Sequence, residues 1–226
     1  MRNIVVTGGA KGIGAAIAKE FLRAGDRVAV LDVEKPDFEA DFIKCDVSDN
    51  EAVRKAAESL PPCDVVVANA AVQTVGKFED LDIADFKRVA DVNLFGVVST
   101  VKEFSSRMEK GRIWAISSVH GILPRDEKYA YDASKAALHI FVKEAARALA
   151  PRSVTVNALL LGATYTPMNK IFDVDPAAEE HARAKVPLGV IMRPETVAAA
   201  LFALCAPEFE LMTGALVPFD GGRSVN

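Results

Sequence analysis

No apolar run in this sequence approaches the roughly 20 residues that a membrane-spanning helix needs, so no membrane partner is expected. The first strand-like residues, "NIVVT", begin at Asn3 and leave no room for a signal peptide; the expected location is cytoplasmic. Cysteine is scarce. Cys45, Cys63 and Cys205 lack both paired spacing and nearby histidines, so neither a disulfide framework nor a metal site is indicated, and all three are read as core or near-surface thiols. A basic excess is also missing: 27 Lys+Arg stand against 31 Asp+Glu, and a net charge of −4 gives nucleic acid no electropositive footprint. Internal repeats, low-complexity tracts and Pro/Gly/Ser linkers are absent, and 226 residues can bury one sizeable core, so a single domain is expected.

What the chain does contain is an alternation. The β-branched runs "NIVVT", "RVAVLD", "DFIKCDV", "DVVVAN", "RIWAIS", "SVTVNALLL" and "ALVPFD" are separated by segments of helical period. The helices are expected at Gly12–Ala24, Asn50–Leu60, Ile83–Met108, Tyr129–Ala150, Met168–Lys185 and Pro194–Ala206. Strands joined through helices need crossovers and form a mostly parallel sheet, and runs such as "VVVA" and "ALLL" suit strands covered on both faces. The pattern predicts a doubly wound α/β fold with seven strands. Residues 161–193 have weak periodicity, and an insertion there is expected to arch over the ligand crevice at the carboxyl ends of the strands.

The first strand leads directly into "TGGAKGIG", residues 7–14, and then into "AAIAKEFLRAG", with Gly25 as a C-terminal cap. Glycines let the backbone turn tightly beside a pyrophosphate, whose charge the helix N-terminus attracts. Asp32 ends the second strand 18 positions after Gly14, where a carboxylate accepts from both ribose hydroxyls and repels a 2′-phosphate. That favours NAD. Lys11 pulls toward NADP, because a cation beside the glycines can pair with such a phosphate. The spacing Gly8, Gly12, Gly14 differs from G-x-G-x-x-G, and a methyltransferase could use a similar turn with an acid after the second strand.

Chemistry is suggested by "YAYDASK", residues 129–135. A tyrosine poised near neutrality needs its pKa lowered by about three units, or about 4 kcal/mol, and a neighbouring ammonium can provide much of that. Residues four apart share a helix face, so Lys135 approaches Tyr131 and points away from Tyr129.

With "TGGAKGIG" and "YDASK" in order, the chain resembles the short-chain dehydrogenase/reductase family, whose motifs read TGxxxGxG and YxxxK. The resemblance extends through "CDV", "NAA" at Asn69–Ala71, "NLFG" and "ISSVHG", covering almost the whole chain. It implies a Rossmann-type domain with Asn93, Ser118, Tyr131 and Lys135 as catalytic residues; the family's interval of 13 from serine to tyrosine selects Ser118 over Ser117. By resemblance Tyr131 is the general acid or base and Ser118 bonds the substrate oxygen. Lys135 binds the nicotinamide ribose and lowers the tyrosine pKa, and Asn93 holds a proton-relay water. The cofactor NAD would be held by Gly8, Lys11, Gly12, Ile13, Gly14, Asp32, Asp46, Val47, Asn69, Ala70, Tyr131, Lys135, Gly162, Thr164 and Thr166. One departure is Leu161, where the family usually has proline; it frees φ and restores an N–H beside the ring.

The expected substrate is a small or medium secondary alcohol or its ketone, faced by His120, Leu123, Tyr165, Met168 and Gln73. Family members of this size are commonly homotetramers built on two long helices, here carrying "FGVVSTVKEF" and "ALHIFVKEAARAL", whose apolar positions exceed one face. A regulator that senses NAD(P) without turnover is the alternative, although such a protein would be expected to lose the tyrosine or lysine kept here. A methyltransferase leaves the Tyr131 to Lys135 spacing unexplained.

Overall fold

The computed structural model describes residues 1–125, 127–169 and 174–225. Strands β1 (Asn3–Thr7), β2 (Arg27–Asp32), β3 (Asp41–Lys44), β4 (Val65–Ala68), β5 (Gly111–Ser118), β6 (Val154–Leu161) and β7 (Leu216–Phe219) form one sheet in the order β3-β2-β1-β4-β5-β6-β7. Every neighbouring pair is parallel. This is the expected single-domain, doubly wound α/β architecture. The strand order reverses between β1 and β4, which opens a crevice beyond their carboxyl ends.

Alternate residues of each strand feed two cores. Val5 and Val66 join Val53 of α2 (Asn50–Ser59), Val101 of α4 (Gly96–Ser105) and Leu138 of α5 (Tyr129–Leu149) on one face. Val6 and Val67 join Phe21 of α1 (Gly12–Arg23) and Leu201 of α7 (Pro194–Leu204) on the other. Burying each such side chain is worth about 1.5–3 kcal/mol. The three cysteines lie in these cores. Burial pushes the Cys45 and Cys63 thiols up to about 11 and that of Cys205 up to about 12. Among the described residues, no helix is long and apolar enough to cross a membrane.

Three elements differ from the sequence reading. The third strand stops at Lys44, because Asp46 accepts from the Ser48 N–H and hydroxyl at 2.9 and 2.7 Å and turns the chain into α2. The long helix expected over Ile83–Met108 is α3 (Ile83–Ala90), a π-helical turn (Asp91–Phe95) and then α4, which ends at Ser105. The helix expected from Met168 begins later: a 3₁₀ turn spans Pro167–Asn169, residues 170–173 lie outside the described residues, and α6 covers Pro176–Ala184. Its start is set by Pro176 in the first turn and by Asp175, which accepts from the Ala177 and Ala178 N–H groups at 3.0 and 3.3 Å.

Candidate active site

The crevice holds a cavity of about 530 Å³, within the range of roughly 300–1,000 Å³ usual for small-molecule sites. Its first wall is the glycine turn after β1. Gly8 and Gly12 have φ of +62° and +55°, and a Cβ at Gly14 would stand 2.1 Å from the Gly8 carbonyl oxygen, so the turn closes only on glycine. Asn69 fastens it from β4: its Nδ2 donates to the Thr7 and Gly8 carbonyls at 3.0 and 2.9 Å. Thr7 Oγ1 accepts from the Asn69 and Ala70 N–H groups at 3.0 and 3.2 Å. Aspartates cap α2, α3 and α6, whereas α1 has no side-chain cap, which leaves the donors of its first turn for a ligand.

At the rim, Asp32 accepts from the Ala10 N–H at 2.9 Å and from the Glu34 N–H at 3.0 Å. Lys11 pairs its Nζ with Glu34 at 2.5 Å, and this partner raises its pKa. Glu34 was not foreseen, because nothing local in "LDVEK" pairs it with residue 11.

The other wall carries the candidate chemistry. Ser118 ends β5, where its Oγ accepts from the His120 N–H at 3.1 Å and donates to the Leu161 carbonyl at 3.3 Å. Ser117 points elsewhere, its Oγ bonded to His139 Nε2 at 2.8 Å inside the core. Tyr131 and Lys135 share one face of α5 and both line the cavity. Tyr129 is turned away and packs edge-on to Phe78, with ring centroids 5.6 Å apart. Lys135 is 2% exposed; its Nζ donates to the Ile116 carbonyl at 2.9 Å and stands 5.6 Å from the Tyr131 ring centroid.

Burial pushes the Tyr131 hydroxyl up to about 12, opposed by its hydrogen bond with Ser118, while burial pushes Lys135 down to about 8. Desolvation is the largest influence on each.

Asn93 sits in the π-helical turn between α3 and α4. Its side chain is fully buried in the π-helical turn, away from the cavity lining. Oδ1 accepts from the Val72 N–H and Nδ2 donates to the Val72 carbonyl, both at 2.8 Å, and Nδ2 also donates to Ser134 Oγ at 3.2 Å. The side chain is a clamp on the segment after β4.

Gly8, Lys11, Ile13, Asp32, Asp46, Val47, Asn69, Ala70, Gly162, Thr164 and Thr166 all line the same cavity. Gly12 and Gly14 lie outside the lining and shape it from behind. Leu161 continues β6 in register with Ser118 and Phe219, so the residue in place of proline extends the strand by a full pairing. The chain then crosses the cavity: Pro167 lies over Gly12, 3.2 Å from where its Cβ would be, and the Met168 carbonyl accepts from Gln73 Nε2 at 2.9 Å. Of the substrate candidates, Met168 lines the cavity; His120, Leu123, Gln73 and Tyr165 stand outside the lining, and Tyr165 donates to Glu179 of α6 at 2.5 Å. His120 and Leu123 bond each other through Nδ1 and the backbone carbonyl at 3.0 Å.

The chain belongs to the short-chain dehydrogenase/reductase family: residues 8–224 match a family model described as enoyl-(acyl carrier protein) reductase. The chain is 33% identical to 3β-hydroxysteroid dehydrogenase 1 of Eggerthella lenta, across 99% of this chain and 94% of that protein. The ligand-free aldohexose dehydrogenase of Thermoplasma acidophilum superposes with a TM-score of 0.93 at 29% identity, covering 100% of this chain and 94% of that one. A Pseudomonas aeruginosa RhlG/NADP active-site complex gives a TM-score of 0.91 at 30% identity, covering 99% and 96%.

Proposed function

We propose that this protein transfers hydride between NAD(H) and a small or medium secondary alcohol or its ketone, with Tyr131 as general acid or base. Family membership supports an oxidoreductase that uses a nicotinamide cofactor. The observation that carries the finer reading is one continuous cavity whose lining includes Gly8 and Asp32 at one end and Ser118, Tyr131 and Lys135 at the other.

The residues fit such a cofactor. The uncapped start of α1 would take the pyrophosphate, Asp32 the adenosine ribose, and Lys135 with Tyr131 the ribose near the ring. A bound nicotinamide supplies the hydride acceptor or donor. Ser118 donates to the substrate oxygen where negative charge develops, and Tyr131 takes the hydroxyl proton in oxidation or returns it in reduction. Tyr131 must come down from about 12 for this, at about 1.4 kcal/mol per unit, and Lys135 at about 8 remains mostly protonated at neutral pH to help stabilise the tyrosinate. NAD is favoured over NADP because Asp32 and Glu34 present two carboxylates at the rim, and Lys11 is already paired.

A substrate screen following NADH absorbance, with parallel titrations of NAD(H) and NADP(H), tests both parts. Turnover of secondary alcohols with tighter NADH binding is expected. Silence across a broad panel with both cofactors would overturn the enzyme reading, and tighter NADPH binding would overturn the cofactor choice. Phe95 beside α4 and Ile140 on α5 are 58% and 63% exposed, which supports a homotetramer built on these helices; a monomer mass in sedimentation would exclude it.

A further inference from the structure

Helix α5 opens on a lysine that the proposed mechanism leaves unused. Lys128 is 7% exposed, its Nζ donates to Gln73 Oε1, and it lies 5.9 Å from the Tyr131 ring centroid, almost as close as Lys135. Among the described residues it forms no ion pair with a carboxylate within 4.0 Å. Asp132, the opposite charge that acts on it, spends Oδ2 on the Arg125 N–H at 2.7 Å, while its Oδ1 is buried without a hydrogen-bond partner. A buried ammonium whose hydrogen bond goes to a neutral amide is costly, and an anion arriving beside it lowers that cost.

The surroundings add charge of the same sign. Arg125, before α5, and Arg223, near the C-terminus, act with Lys128 on the His120 imidazole; burial and these cations push it down to about 4, so it stays neutral. The two arginines also form no ion pair with a carboxylate among the described residues. These cations, without a carboxylate ion pair among the described residues, adjoin the reacting groups at two points: the His120 N–H bonds Ser118 Oγ, and Gln73 links Lys128 to Met168 at the cavity lining.

We infer that Lys128, presented by Gln73 beside Tyr131, binds an anionic group on the substrate, so that the alcohol or ketone turned over carries a carboxylate or a phosphate. This assignment rests on the dehydrogenase reading for its reaction, and a binding measurement separates the two. Thermal shifts in the presence of NADH are recorded with butyrate, with its neutral isostere butyramide and with inorganic phosphate. Wild type should be protected by butyrate more than by butyramide; Lys128→Met should lose the difference and Lys128→Arg should keep it. Protection by phosphate in place of butyrate, with the same dependence on Lys128, identifies phosphate as the group. Equal protection by butyrate and butyramide with none by phosphate, or anion protection unchanged in Lys128→Met, overturns the assignment.

Turnover provides the second readout. The ratio of kcat/KM for 3-hydroxybutyrate to that for its methyl ester should exceed about ten in wild type and fall about tenfold to a hundredfold in Lys128→Met, the range of a charged hydrogen bond. A phosphate-selective result in the first experiment moves this comparison to a hydroxyalkyl phosphate and its neutral diol. Anion binding that depends on Lys128 without turnover of any alcohol would support the anion site and sink the dehydrogenase reading.

Discussion

The two ends of the cavity are held together by different physics. Around the glycine turn, the shaping side chains are satisfied by backbone: Asn69 and Thr7 bond the turn and its neighbour, and Asp32 takes two N–H groups. Around Tyr131 the ionisable groups are buried with few charges to answer them, so Tyr131 rises to about 12 while Lys135 and Lys128 fall to about 8. The first end has its shaping hydrogen bonds made before a ligand arrives. The second stores its protonation chemistry in desolvation, which a bound ligand can release.

The sharpest break in this comparison is between the two tyrosines. Tyr131→Phe should lower kcat by roughly a hundred- to ten-thousand-fold, the usual worth of a general acid or base, with NADH affinity nearly unchanged. Tyr129→Phe should keep most activity, because that ring packs on Phe78 outside the cavity. Equal losses in steady-state assays would remove the helix-face assignment.

A smaller effect tests burial itself. His139 is 4% exposed and burial pushes it down to about 4, below its ordinary value of 6.5. The unfolded chain therefore binds the proton first. The stability contribution of the neutral imidazole is fully present above pH 6.5 and is lost as pH falls toward 4, amounting to about 2 kcal/mol between pH 6.5 and 4.5. Urea melts across that interval should show a flatter acid limb in His139→Gln; an unchanged slope would mean that this histidine is not held neutral.

The smallest expected change lies at the glycine-turn end. Glu34→Gln releases Lys11 and removes one carboxylate from the rim, so NADPH affinity should rise about tenfold relative to NADH, a change of about 1.4 kcal/mol. An unaltered ratio in fluorescence titrations would leave Asp32 as the sole discriminator.

What could be read from the chain was whatever short spacing controls. The glycine turn follows a strand, Lys135 lies one helical turn beyond Tyr131, and the seven strands were marked by β-branched runs. Asp32 fell at a strand end for the same reason. The Lys11–Glu34 pair, the Ser117–His139 bond and the Gln73–Lys128 bond join residues 23, 22 and 55 positions apart, and no local pattern announces them. Asn93 shows a related limit: "NLFG" located it, but its burial follows from a change in helix type that composition does not betray. The burial around the Tyr131 hydroxyl was likewise not legible, because spacing reports the nearby ammonium and says nothing of the solvent lost around it.

The π-helical turn at Asp91–Phe95 works as a phase shift. An extra residue between α3 and α4 advances the helix by about 100°, so the two halves present faces that an uninterrupted helix could not hold in register. Through Asn93, that offset sets the position of Val72 and hence of the strand-end segment leading to Gln73. One surplus residue in a helix thereby fixes the alignment of the cavity-lining segment packed against it, and its deletion would be felt as misalignment of the site before it was felt as lost helix.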